Sequence, residues 1–201
     1  MSAHKVGVFG GSFDPIHVGH LYIANAIATQ RQLDRVLFLP VGSPAHRSTH
    51  APATDRSAMV QLAIAGNDRF ALDDTALRQE GPVYTADTLP LLRARYAAQR
   101  LSFIAGSDSL VNSPWRRFEE VLEALDRFYV VVRAQAPADA IAALVDAQPP
   151  HLAARIEIVQ LPLVHISAST IRADIAAARS VRYLVPDPVI AYIAEHKLYS
   201  D

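Results

Sequence analysis

The feature that most constrains this chain is an alternation. Five short apolar segments, KVGVFG (5–10), RVLFLP (35–40), LSFIAG (101–106), RFYVVVR (127–133) and RIEIVQL (155–161), are separated by helical patterns at 15–30, 55–66, 85–98, 114–125 and 138–147. Several segments are apolar at consecutive positions rather than at every second one. Such a strand needs cover on both faces, which is the environment inside a parallel sheet. Strand–helix alternation of this kind predicts an α/β fold, a doubly wound (Rossmann-like) parallel sheet. Ligands of these sheets bind beyond the carboxyl ends of the strands, where the strand order reverses. After residue 165 the pattern changes. ISASTIRADIAAARSVRYLVPDPVIAYIAEHKLYS (166–200) carries two helical patterns and no strand. Ser169 is the expected N-cap of the first helix, and Pro186 and Pro188 punctuate the start of the second. Val189, Ile190, Ile193 and Leu198 are then expected to pack on the body. The expectation is one domain over 1–201, with an α/β core over about 1–165 and a helical C-terminal part over about 166–201.

Composition narrows the function classes. Half of the residues are hydrophobic (51%) and 19% are charged, enough apolar surface to build a core. Lys and Arg (19) balance Asp and Glu (20) and form no basic block, so a nucleic-acid or membrane-surface partner is not expected. With no cysteine, neither a disulfide scaffold nor a thiolate metal site is available. MSAHKVGVFGG has no secretory pattern, and no stretch approaches the roughly 20 apolar residues of a membrane span. A cytoplasmic protein is expected, and a homo-oligomer is left open.

The densest chemistry lies in GVFGGSFDPIHVGH (7–20). Gly10 and Gly11 end the first strand, where glycine permits positive φ and close approach of a ligand to the main chain. Asp14 is an expected N-cap and Pro15 an expected first helical residue, so a helix is expected to begin there. His17 and His20 would then share one face near its positive end. Main-chain amides, a helix dipole and two imidazoles suit a phosphate. The spacing is neither G-x-G-x-x-G nor a P-loop. On residue chemistry alone a phosphate site, a structural turn and a two-histidine metal site all stay open.

Two motifs carry a family resemblance. GGSFDPIHVGH (10–20) resembles the first signature of the H-x-G-H nucleotidyltransferase superfamily, and ISASTIR (166–172) is similar to its second. Between and beyond them, GPVYTADTL (81–89), FIAGSDSLVNSPWRRFEEVL (103–122) and VIAYIAEHKLY (189–199) resemble the bacterial nicotinate-nucleotide adenylyltransferases in order and spacing, over nearly the whole chain. The departures are small. Ser12 stands where the family commonly has Thr, Ala168 where Ser is frequent, and Pro44-Ala45-His46-Arg47 where P-P-H-K is common. No charge or imidazole is lost.

The resemblance implies transfer of AMP from ATP to nicotinate mononucleotide, giving deamido-NAD and pyrophosphate. The nucleophile is an anionic phosphate oxygen, so the demand is charge neutralisation and in-line alignment, not a general base. The implied ATP residues are Gly10, Gly11, Ser12, Phe13, His17, His20, Asp108, Ser169 and Arg172, with His17, His20 and Arg172 as the catalytic donors. Mg²⁺ would accompany the triphosphate, held largely by phosphate and water oxygens, with no metal-ligating side chains. For the mononucleotide the implied residues are His46, Arg47, Thr85, Trp115 and Arg116. Trp115 suits stacking on a pyridine ring, with core packing as its alternative. Asp108 suits either a ribose hydroxyl or an N-cap. His4, His50, His151 and His196 show no partner pattern, and His165 is expected to be packed.

Overall fold

The computed structural model describes residues 3–44, 48–111, 115–132, 138–162 and 165–200. Strands β1 (Lys5–Gly11), β2 (Arg35–Pro40), β3 (Phe70–Leu72), β4 (Arg100–Gly106), β5 (Arg127–Val132) and β6 (Ile156–Gln160) form one sheet in the order β3-β2-β1-β4-β5-β6. Each neighbouring pair is parallel. The order reverses between β1 and β4, so the carboxyl ends of these two strands flank the switch point where such sheets bind ligands.

Side-chain alternation explains why the strands are apolar throughout. Val6 and Val8 of β1, Leu37 and Leu39 of β2, and Phe128 and Val130 of β5 enter one buried cluster. Phe9, Val36, Phe38, Tyr129 and Val131 enter another on the opposite face. Fully burying one such side chain stabilises the fold by about 1.5–3 kcal/mol, so both faces need helices. The first cluster is covered by α3 (Thr85–Arg95), α4 (Ser107–Val111), α5 (Phe118–Glu123), α6 (Ala138–Asp146) and α7 (Pro150–Ala153). The second is covered by α1 (Val18–Gln30), α2 (Ala53–Ile64), α8 (Ala168–Ala176) and α9 (Asp187–Glu195). The doubly wound α/β fold expected from the alternation is the one observed. Sequence reading missed β3, α4 and α7, which at three, five and four residues are too short for periodicity to register.

The C-terminal helices join the α1 face. Ile171, Val181, Val185, Val189 and Ile193 are buried in the same cluster as Phe9 and Ile16, and Ile190 and Leu198 pack against it. The N-cap of α8 is Ser167, not Ser169. The Ser167 hydroxyl accepts the Thr170 amide at 3.1 Å, the third helical position that a cap must reach, while Ser169 already lies inside the first turn. No helix among the described residues is long and apolar enough to cross a membrane.

Candidate active site

The site grows from the end of β1. Helix α1 begins at Val18 with His17 as its N-cap, not at Asp14 and Pro15 as the dipeptide suggests. Asp14 cannot cap α1 because its carboxylate is turned elsewhere. It is 5% exposed and accepts the amides of His50 (2.7 Å) and Ala51 (3.1 Å) and the hydroxyl of Tyr199 (2.7 Å). Burial alone would raise the Asp14 pKa. The hydrogen bonds from His50, Tyr199 and Ala51, with the Arg172 charge, outweigh it and hold the carboxyl below its ordinary 3.8. Tyr199 is pushed upward by burial and by its bond to this carboxylate. His50, read as partnerless from sequence, also brings its ring nitrogen to 3.4 Å from Asp14.

Arg172 of α8 donates from Nη1 to the Asp14 carbonyl at 2.6 Å, across 158 residues of sequence. The guanidinium of the second signature therefore lies against the main chain of the first. His17 and His20 stack at 3.7 Å between centroids with an interplanar angle of 26°. The His17 amide donates to Nδ1 of His20 at 3.3 Å. That bond assigns the proton of a neutral His20 ring to Nε2. Gly19 has a steric role in the motif, since a Cβ there would come 3.0 Å from the buried His17 ring. The first amide of α1 is engaged: Val18 donates to the Leu184 carbonyl at 2.9 Å.

Gly10 and Gly11 do not use positive φ, contrary to one expectation; both continue the extended strand, and it is Phe13 that takes φ 48°. Their lack of a side chain makes room for rings. A Cβ on Gly10 would meet the Phe103 ring at 2.9 Å, and one on Gly11 the Phe13 ring at 3.0 Å. Both glycines line a pocket of about 140 Å³ together with Ser12, Pro44, Thr85, Trp115 and Arg116. The predicted acceptor residues Thr85, Trp115 and Arg116 thus share one cavity with the glycine loop. The core packing given as the alternative for Trp115 is observed, and the residue also lines the pocket. Its Nε1 donates to the Ser109 carbonyl at 3.0 Å, and its indole packs edge-on against Phe103, Phe118 and Phe128. The Arg116 guanidinium lies 4.7 Å over the Tyr84 ring.

Other predicted residues fall differently. Asp108 is exposed as the second residue of α4, inside the helix rather than capping it. Ser169 is exposed on the first turn of α8, within 3.0 Å of the Ser167 hydroxyl. His165 is exposed, not packed. His46 and Arg47 lie outside the described residues. Among the described residues no group of three or more His, Asp or Glu could hold a metal ion. Sequence reasoning missed Arg56, Tyr84 and the role of Tyr199. Arg56 was detectable in principle, because it shares the buried stripe of α2 with Met59, Val60 and Ile64.

Comparison with known proteins agrees with this assembly. A family model described as cytidylyltransferase-like matches residues 8–174. The probable nicotinate-nucleotide adenylyltransferase of Symbiobacterium thermophilum is 40% identical over 97% of this chain and 95% of its own length. That of Thermomicrobium roseum is 42% identical over 97% of this chain and 91% of its own. The Plasmodium falciparum nicotinic acid mononucleotide adenylyltransferase, solved in complex with NaAD, superposes with a TM-score of 0.78 at 18% identity, covering 98% of this chain and 97% of that one; it supports the fold. With both signatures meeting at the end of β1 and full-length relatives at this identity, the chain belongs to the cytidylyltransferase-like nucleotidyltransferases and, within them, to the nicotinate-nucleotide adenylyltransferases.

Proposed function

We infer that this chain joins nicotinate mononucleotide to the AMP moiety of ATP, giving deamido-NAD and pyrophosphate in NAD biosynthesis. The observation that carries the reading is the 2.6 Å bond from Arg172 to the Asp14 carbonyl, which sets the two nucleotidyltransferase signatures against one another beside a cavity containing Thr85 and Trp115. The donors at this corner are imidazoles, amides, hydroxyls and a guanidinium. That set fits an anion, and it fits Mg²⁺ only as a companion of the triphosphate, its ligands being phosphate and water oxygens. When bound with ATP, the ion would neutralise charge on the phosphates.

The side chains have the following roles in this reading. Amides of Gly10, Gly11, Ser12 and Phe13, with the Ser12 hydroxyl, lie along the triphosphate. The phosphate oxygen of the mononucleotide attacks the α-phosphorus, and the bond to the β-phosphate oxygen breaks with its electrons leaving on pyrophosphate. His20, through Nε2, and His17 donate to the phosphates, and their bonds strengthen as charge moves onto the leaving group. Arg172 adds a fixed positive charge on that side, and Ser169 and Asp108 border the nucleotide. Thr85, Trp115 and Arg116 receive the pyridine end, while His46 and Arg47 take the mononucleotide phosphate. The chain acts as one catalytic domain in the cytoplasm, with no nucleic-acid or membrane partner. Assaying pyrophosphate release with ATP, Mg²⁺ and either nicotinate mononucleotide, its amide or phosphopantetheine tests the reading. Release with the acid is expected. Preference for the amide overturns the acceptor, and no release with any acceptor overturns the enzyme.

A further inference from the structure

Arg56 of α2 is 0% exposed, and the reaction as proposed makes no use of it. Each guanidinium nitrogen donates to a main-chain carbonyl: Nε to Ala51 at 3.1 Å, Nη1 to Ser12 at 2.6 Å and Nη2 to Gly42 at 2.7 Å. Burial pulls its pKa down, and the Asp14 carboxylate works against that pull. Sequestering a cation costs several kcal/mol, and an apolar side chain of the same volume would stabilise the α2 interface at lower cost. The arrangement therefore makes sense as a specifier of geometry. A planar fork with donors in fixed directions holds three peptide groups at once, which an ammonium point charge cannot do.

Of these residues Ser12 lines the pocket, and Gly42 lies in sequence between the lining residues Val41 and Pro44. Ser12 continues the glycine loop from β1, Gly42 continues the wall from β2, and Ala51 is the residue whose amide binds Asp14. In a planar trans peptide, C=O and the following N–H point in opposite directions. A Ser12 carbonyl held at 2.6 Å by Arg56 therefore turns the Phe13 amide away from the guanidinium. We propose that Arg56 is a positioning residue, which orients the Ser12–Phe13 peptide so that the Phe13 N–H is presented to the nucleotide phosphate and which sets the separation of the Ser12 and Gly42 walls. The proposal rests on the adenylyl-transfer reading.

The test compares wild type with Arg56→Lys and Arg56→Met by steady-state kinetics, thermal melting and ¹H–¹⁵N spectra. Arg56→Lys is expected to remain folded and to lose roughly ten- to hundredfold in kcat/KM for ATP, the scale of a misplacement near 1 Å. Its Phe13 amide resonance is expected to shift in the free protein and to respond less to ATP. Arg56→Met is expected to lose more, so that lysine restores part of the activity. A folded Arg56→Lys with kinetic constants within about twofold of wild type overturns the proposal. So does a variant whose loss is wholly a smaller folded fraction, with KM and kcat per folded molecule unchanged. If neither variant folds, ATP added to wild type decides: the Phe13 amide must move strongly downfield, and its indifference overturns the proposal. Wild type without pyrophosphate release overturns the adenylyl-transfer reading instead, which keeps the two failures distinct.

Discussion

The two halves of the site are built in different ways. The proposed nucleotide corner is a contiguous motif, residues 10–20, secured by side chains from far along the chain: Arg56 to Ser12, Arg172 to the Asp14 carbonyl, and Tyr199 to the Asp14 carboxylate. The proposed acceptor pocket has no such contiguous motif. It gathers Leu39, Thr85, Phe103 and Trp115 from separate elements around a cavity that the glycine loop closes on one side. The first half is specified by directional hydrogen bonds, which fail sharply when one partner is removed. The second is specified by shape and aromatic packing, which degrade gradually. Charge neutralisation in phosphoryl transfer needs fixed donors, whereas recognition of a flat ring needs a fitted wall.

That contrast is open to experiment. The largest effect is expected from His20→Ala, with kcat for pyrophosphate release falling about 10²–10³-fold, the scale for one transition-state donor, while the melting temperature changes little. A kcat near wild type would remove His20 from the corner's chemistry. Arg172→Ala comes next. Loss of a charged hydrogen bond, about 1.5–3 kcal/mol, predicts a roughly ten- to hundredfold drop in kcat/KM for ATP. Should the drop fall on the mononucleotide KM alone, the division into two halves would be misdrawn.

Trp115→Ala probes the shape-built half. KM for nicotinate mononucleotide is expected to rise roughly three- to tenfold, from the loss of about 0.5–1.5 kcal/mol of aromatic contact, with KM for ATP little changed. A lower melting temperature is also expected, since the indole packs on Phe103, Phe118 and Phe128. An equal rise in both KM values would mean that the tryptophan serves the scaffold rather than the ring.

The smallest effect concerns a tether. Tyr199→Phe removes one donor from Asp14 and is expected to cost about 1 kcal/mol at neutral pH, a few degrees in melting temperature for a chain of this length. Because Asp14 is more acidic in the folded protein, its contribution is present above its unfolded value near 3.8 and is lost as pH falls through the lower folded value. The stability gap between wild type and Tyr199→Phe should therefore be constant near neutrality and narrow below about pH 4 in urea denaturation. A gap that widened with acid would contradict an ionised Asp14 at this tether.

Much of the fold was legible because apolar runs and helical periodicity are local properties. The five predicted strands, the helices on both faces and the packing of Val189 and Ile193 follow from them. Turn chemistry was legible only in part. Asp14-Pro15 reads as a helix start, and Ser169 reads as a cap, by rules that weigh only a few neighbouring residues. Asp14 instead serves amides 36 and 37 residues away, and Ser167 has the better reach to Thr170.

What the sequence determined by itself was the doubly wound sheet and, through two separated signatures, the family. What only the tertiary structure decided was which residues meet: Arg56 under Ser12, Tyr199 and His50 on Asp14, Arg172 on the Asp14 carbonyl, and Trp115 among three phenylalanines. The reason is physical. Periodicity records which face of an element is buried, but a hydrogen bond between residues 14 and 199 leaves no periodic trace, because its partners are chosen by the packing of whole elements.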